Sequence, residues 1–220
     1  FVVIIITITP NNYFLIYMPF KKLHSEIKEV LESLEISTPT SFQSKSIAAI
    51  KSGANIFCIA PENSGKTTTL ILTAMQKLKC EEIGTAPRAI ILVGDNEKAK
   101  ALYETFVIYT RRTSLRVYVC DEKLHIDMLK SEIFEGSDVL IGTTKIMNKL
   151  FLLNGVNTTQ LKMMCIDDAG FLNQKTPLTA MMAITQSITK CQFVIYSDKM
   201  HPFLKKFESY FMKHARSIAM

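Results

Sequence analysis

No two of the five cysteines in this 220-residue chain form a C-x-x-C pair, and the four histidines lack metal-like spacing. That excludes a zinc finger or ribbon, whose ligands come in closely spaced pairs. Cys58, Cys120 and Cys165 lie inside apolar runs, the setting of buried thiols in a reducing compartment rather than of a secreted disulfide framework. No internal repeat, low-complexity tract or linker is present, which excludes a solenoid and favours one domain of ordinary size. The apolar N-terminal run has no basic leader, as a secretory signal requires. Pro10-Asn11-Asn12 also interrupts it too early for a membrane span. A membrane partner is therefore not expected.

What is present fits a globular chain. With 48% hydrophobic and 21% charged residues, it can bury a core. The first 17 residues carry no charge, and an amphipathic pattern begins only after Met18. The expectation is that Met18 is the natural start, residues 1–17 a non-native or disordered leader with a short anchor as the alternative, and residues 18–220 one domain. The net charge of +6 is lopsided. Residues 1–110 hold 11 Lys/Arg against 10 Asp/Glu, whereas residues 111–220 hold 15 against 10. The excess gathers at Arg111, Arg112 and Arg116 and at Lys199, Lys205, Lys206, Lys213 and Arg216. Solvated helix faces would account for it; so would a surface that meets polyanions.

Leu23, Ile27, Val30, Leu31 and Leu34 recur at helical spacing. Thr38-Pro39-Thr40 ends that helix and leads into a second over about 42–51. Apolar runs at 55–60, 89–94, 115–120, 138–142, 161–166 and 191–196 then alternate with helical patterns. These lie near 66–79, 97–109, 123–131, 145–153, 177–189 and 202–215. Ile- and Val-rich strands alternating with helices predict an α/β fold, a mostly parallel sheet covered on both faces. Ligands of such sheets bind beyond the carboxyl ends of the strands, at residues 60–67, 94–98, 143–145, 167–170 and 197–199.

The first of these loops reads Ala60-Pro61-Glu62-Asn63-Ser64-Gly65-Lys66-Thr67, between a strand and a helix. In that context the pattern is a phosphate-binding loop, because successive backbone N–H groups and a helix N-terminus form an anion nest. Lys66 would reach the terminal phosphates and Thr67 would ligate Mg²⁺, with Thr68 following in the first helical turn. Gly65 permits close backbone approach. Asn63 stands where such loops usually have glycine; after glycine, asparagine best tolerates the left-handed conformation. The fourth loop follows Cys165-Ile166 with Asp167-Asp168. Asp167 is placed to hold Mg²⁺ through water and Asp168 to orient an attacking water, although two adjacent acids can also merely cap a helix.

On these motifs, from Phe20 to about Pro202, the chain resembles the first RecA-like domain of the DEAD-box RNA helicases. Phe20, Pro39-Thr40 and Gln43 resemble the family's adenine-reading segment. A glutamine amide can pair with the N6 and N7 edge of adenine, with Phe20 packed on the base. The resemblance implies ATP and Mg²⁺ as cofactors, RNA (single-stranded or duplex) as partner and a cytoplasmic site of action. It also implies a second RecA-like domain beyond residue 220, and backbone contacts to RNA from Thr143 and Lys145.

Several motifs depart from the family's. Pro-Thr-Arg-Glu-Leu-Ala is replaced by Gly94-Asp95-Asn96-Glu97-Lys98-Ala99, and paired glycines by Cys120-Asp121. Thr-Pro-Gly-Arg becomes Thr143-Thr144-Lys145-Ile146, Asp-Glu-Ala-Asp becomes Asp167-Asp168-Ala169-Gly170, and the coupling triplet Ser-Ala-Thr becomes Ser197-Asp198-Lys199. Nucleotide-holding residues are largely kept while RNA-contact and coupling residues are altered, so slow hydrolysis is expected. A degenerate, non-catalytic scaffold is the alternative, and an unrelated P-loop kinase a third reading.

Overall fold

The computed structural model describes residues 19–220; the expectations for residues 1–17 and for Met18 as a start lie outside the described residues. Among the described residues, seven strands form one sheet: β1 (Ile56–Ile59), β2 (Ala89–Val93), β3 (Val117–Val119), β4 (Val139–Thr143), β5 (Met163–Ile166), β6 (Gln192–Ser197) and β7 (Arg216–Ala219). Their order is β3-β4-β2-β5-β6-β1-β7, and every pairing is parallel. The helices are α1 (Ser25–Ser33), α2 (Ser41–Lys51), α3 (Lys66–Leu78), α4 (Asn96–Thr110), α5 (Ile126–Gly136), α6 (Thr144–Leu152), α7 (Lys175–Gln186) and α8 (Pro202–Lys206).

A parallel strand buried on both faces needs two apolar faces, and the central strands supply them by alternation. Ile56 and Cys58 of β1, with Ala89, Ile91 and Val93 of β2, face a core completed by α1 to α4. Phe57, Ile59, Ile90 and Leu92 point the other way, into a second core with α5 to α8. All five cysteines are free, and four of them are buried. Among the described residues, no helix is long and apolar enough to cross a membrane.

The six strands expected from apolar runs are present, and the fold class is the expected one. One helix is corrected: the pattern over 202–215 stops at Lys206, passes through a 3-10 turn at Phe207–Ser209 and gives way to β7. Tyr210, at φ −117 and ψ −101, leaves helical geometry. The freed segment closes on itself through aromatic contacts, with ring centroids 4.9 Å apart for Phe207 and Phe211 and 4.8 Å for Phe193 and Phe211. The strand that follows docks on β1 as an exposed edge.

At the amino ends of the strands lies a buried charge cluster. Asp138, just before β4, accepts from Arg88 Nε (3.0 Å) and Nη2 (2.6 Å) on one oxygen, and from Arg116 Nε and backbone N (both 3.0 Å) on the other. Arg88 and Asp138 are both wholly buried. Arg88 spends its remaining donors on the carbonyls of Leu78 and Glu81. Arg116, counted above in the basic excess, is thus committed to Asp138 at the end of the sheet opposite the predicted ligand loops. Of the two accounts of the basic excess, solvated face or polyanion surface, neither describes Arg116, which is a structural partner of Asp138.

Burial pushes the Asp138 carboxyl up, but the hydrogen bonds from Arg116, Arg88 and the Ile83 N–H outweigh it and hold the pKa below the ordinary value. Its contribution to stability is therefore complete above the unfolded-state carboxylate range and is lost as pH falls through the lower folded value. Asp138→Asn should cost about 3 kcal/mol, because it strands two arginines, one of them fully buried. Denaturant melts of parent and variant at neutral pH check this. Equal midpoints would show that the cluster contributes nothing.

Candidate nucleotide site

The loop that follows β1 is shaped by two left-handed residues. Asn63 has φ 59 and Gly65 has φ 91, so the conformation expected of Asn63 is the one it adopts. Gly65 caps α3, and its missing side chain matters twice. The φ is unfavourable for other residues, and a Cβ there would stand 2.5 Å from Gln43 Nε2. Gln43 lies behind the loop, almost fully buried. Its Oε1 accepts from the Thr40 N–H at 2.9 Å, while Thr40 Oγ1 accepts from the Gln43 N–H at 3.1 Å, a reciprocal capping box at the start of α2. Thr40 Oγ1 also donates to the Ser64 carbonyl at 2.9 Å. The segment read as adenine-recognising therefore also braces the loop, a role that spacing alone did not reveal.

Asn63, Gly65, Lys66, Thr67 and Thr68 line one cavity of about 840 Å³ together with Asp167 and Asp168. Ala60 is buried at its base. Lys66 Nζ donates to the carbonyls of Ala60 (2.5 Å) and Pro61 (2.6 Å). Ser64 Oγ is buried with no hydrogen-bond partner, the kind of orphaned group that a bound acceptor satisfies, although Ser64 itself is not among the residues lining the cavity. These features fit a phosphate group. Asp167 follows β5, and its N–H donates to the Leu92 carbonyl at 2.9 Å. Burial, then the charge of Asp168, pushes its carboxyl up to about 6, against the pull of Lys66 and Lys98. Asp167 and Thr67 are the pair that would hold Mg²⁺; among the described residues there is no group of three His, Cys, Asp or Glu placed around a metal.

Asp168 has a left-handed backbone, φ 52, and its Oδ2 accepts from Lys98 Nζ at 2.8 Å. The sequence places Lys98 and Asp198 in the expected ligand loops without a role and gives no sign of His201; all three line the same cavity, and nothing in local spacing links them to the phosphate loop. Asp198 accepts from His201 Nε2 (3.2 Å) and Ser197 Oγ (3.3 Å).

The remaining candidates lie apart from the phosphate cavity. Phe20 is nearly buried in the core and lines, with Pro39, Leu31 and Ile36, a different groove of about 480 Å³. Ser197 is buried at the end of β6, where its carbonyl accepts from the Ala60 N–H at 3.1 Å. Lys199 is exposed beyond it. Thr143 and Lys145 do lie together at the carboxyl end of β4, but both are engaged by Glu122. Thr143 Oγ1 donates to one of its oxygens and Lys145 Nζ to the other, the latter at 2.7 Å. Asp121 beside it pairs with Lys100 at 2.8 Å.

A parallel sheet with this loop after its first strand is a P-loop α/β fold, and the solved structures it resembles make it RecA-like. A solved DEAD-box protein from Methanococcus jannaschii superposes with TM-score 0.81 over 90% of this chain and 54% of its own, at 16% identity. Dbp5 of Saccharomyces cerevisiae bound to RNA and ADP BeF3 gives 0.77 over 90% and 50%, also at 16%. In sequence, the pre-mRNA-processing ATP-dependent RNA helicase PRP5 of Meyerozyma guilliermondii is 29% identical over 154 residues. That alignment takes in 66% of this chain and only 18% of PRP5. The ATP-dependent RNA helicase eIF4A of Mycosarcoma maydis is 22% identical over 148 residues, 67% of this chain and 36% of its own length. The DEAD/DEAH box helicase model matches residues 40–201, and the chain belongs to that family.

The strain at the loop is testable. Gly65→Ala should destabilise the fold by about 1 kcal/mol or more, whereas Asn63→Gly should be neutral within a few tenths. Chemical denaturation measures both; a Gly65→Ala protein as stable as its parent would show that the loop does not hold the described conformation.

Proposed function

We propose that this chain is the ATP-binding domain of a DEAD-box-type RNA helicase, working in the cytoplasm with a second RecA-like domain and slow in hydrolysis. The observation that carries the reading is the single cavity shared by the loop at residues 60–67 and Asp167. Lys66 binds the terminal phosphates, replacing the loop carbonyls it now holds with charge-assisted bonds. Ser64 Oγ and the N-terminal N–H groups of α3 take further phosphate oxygens, while Thr67 and Asp167 orient the magnesium ion. When bound, Mg-ATP supplies the phosphoryl group whose transfer to water the site promotes. Gln43 and Phe20 select adenine, and Asp168 orients the attacking water. Family membership supports ATP as the nucleotide and RNA as the polymer. Ser197 and Lys199 link the nucleotide site to the RNA surface through the hydrogen bond between Ala60 and Ser197.

The ion pair between Asp168 and Lys98 favours a second reading, a nucleotide- and RNA-binding scaffold that scarcely turns over, because it ties up the acid that would orient water. RNA-stimulated ATPase activity separates the two readings: its presence in the full-length protein supports the helicase, and its absence the scaffold.

Calorimetry with Mg-ATP and ADP should show binding that Lys66→Ala weakens at least tenfold, the loss of one charge-assisted contact; undiminished affinity would end the phosphate-loop reading. Gln43→Ala should narrow the preference for ATP over GTP, and it should also cost about 1 kcal/mol of stability through the lost cap. An unchanged preference would sink the adenine assignment alone.

RNA binding should be weak and fall steeply with salt, since phosphate contacts release counterions. Because Glu122 occupies Thr143 and Lys145, Glu122→Gln should tighten RNA binding, while Lys145→Ala should weaken it and lower the salt slope by about one. Affinity that ignored both substitutions would remove RNA from this corner of the sheet.

A further inference from the structure

The nucleotide cavity carries a charge imbalance that the loop does not resolve. Four carboxylates line it, Glu62, Asp167, Asp168 and Asp198, against two lysines, Lys66 and Lys98, and His201. A nucleoside triphosphate brings about four more negative charges near neutral pH, so each cation in the wall counts. Lys66 rises from the loop at the start of α3. Lys98 stands in the first turns of α4, with Ala101, Leu102 and Thr105 completing that wall.

The present partner of Lys98 is Asp168, at 2.8 Å, and both side chains are about half exposed. An ion pair so open to water contributes little, so exchanging it is cheap. The terminal phosphate of a triphosphate offers more negative charge and more acceptor oxygens than one carboxylate, and an ammonium with three donors can turn to it. The exchange would leave Asp168 without its cation at the moment a terminal phosphate is present.

We infer that Lys98 is a nucleotide-binding residue that grips the terminal phosphate of a triphosphate, and that Asp168 holds its place when that phosphate is missing. This rests on the nucleotide-binding reading above. It adds to that reading a ligand contact from α4 that distinguishes triphosphate from diphosphate. Lys66 and the α3 N-terminus serve both nucleotides, so Lys98 should affect one and spare the other.

The test is equilibrium binding of ADP and of a non-hydrolysable ATP analogue with an imido β–γ bridge, both with Mg²⁺, to the whole 220-residue chain. Lys98→Ala should lower the preference for triphosphate about tenfold and leave ADP affinity unchanged, whereas Lys98→Arg should retain most of the preference. Lys98 is half exposed on a helix, so alanine there is expected to fold; Lys98→Met, which keeps the stem, is the check. Asp168→Asn alone should raise the preference, having released the lysine.

The double variant Lys98→Ala/Asp168→Asn decides between contact and neutralisation. If Lys98 touches the phosphate, the preference stays low in the double variant; if it only neutralises Asp168, the preference returns to the parental value and the inference is overturned. An unchanged ratio in Lys98→Ala, or an equal loss for both nucleotides, would overturn it as well while leaving the nucleotide-binding reading intact. A parent chain that binds neither nucleotide would remove that reading and this inference together.

Discussion

The carboxylate of Asp138 sets the register of half the sheet. It lies one residue before β4, Arg88 lies one residue before β2 and Arg116 lies one residue before β3, so a single buried group ties three strand entries together. The backbone repeats the connection: the Arg88 and Ala89 N–H groups both donate to the Asp138 carbonyl at 2.9 Å, and the Asp138 N–H donates to the Arg116 carbonyl at 2.9 Å. A parallel sheet tolerates no slip, because a one-residue shift would turn every apolar side chain to the wrong core. With those entries fixed, strand length decides where the exits of β2, β3 and β4 fall. The exits of β1, β2, β4, β5 and β6 are where the candidate residues stand. Burying that much charge is costly, and the cost is offset only because nearly every donor and acceptor in the cluster is matched.

The opposite end of the sheet handles charge differently. There, Lys98 meets Asp168, Lys145 meets Glu122 and Lys100 meets Asp121, in pairs that water reaches. Exposed pairs of this kind contribute under about 1 kcal/mol each, so they organise the loops without locking them. The Asp138 cluster is spent on holding the fold, whereas the exit-side pairs can be traded for an outside anion. That contrast follows from burial and from the cation used, arginine forks in the buried cluster and lysine ammonium groups in the exposed pairs.

Much of the architecture was legible because it is local. The phosphate loop, its neighbouring strand and helix, and the left-handed Asn63 are all encoded within one short stretch, and short apolar runs marked six strands. What escaped notice was long-range or disguised. Arg88 and Asp138 are fifty residues apart, and Lys98 and Asp168 seventy; no periodicity joins such partners, and charged residues are read by default as solvent-facing. Within the helix expected over 202–215, Phe203, Phe207 and Phe211 have a spacing of four that mimics a helical face. Those rings do cluster, but through a 3-10 turn and a reversal. β7 is an exposed edge of sequence Arg-Ser-Ile-Ala, too polar to announce itself as a strand.

The same adjacency that hid these pairs from the sequence gives the candidate site its reach. Because β1 and β6 are parallel neighbours, the first residue of the phosphate loop lies beside the last residue of β6, and the Ala60 N–H donates to the Ser197 carbonyl. The Ser197 hydroxyl then donates to Asp198, which also holds His201. A displacement of Ala60 therefore pulls on the backbone that carries Asp198 and the exposed Lys199. Thr40 makes the corresponding connection on the other side, from the Ser64 carbonyl to the start of α2. The loop is thus held at Ala60, at Ser64 and behind Gly65 by two segments, the end of β6 and the start of α2, each more than twenty residues away along the chain. Its conformation is a property of the sheet order, and a substitution in either of those segments acts on the phosphate cradle without touching a phosphate.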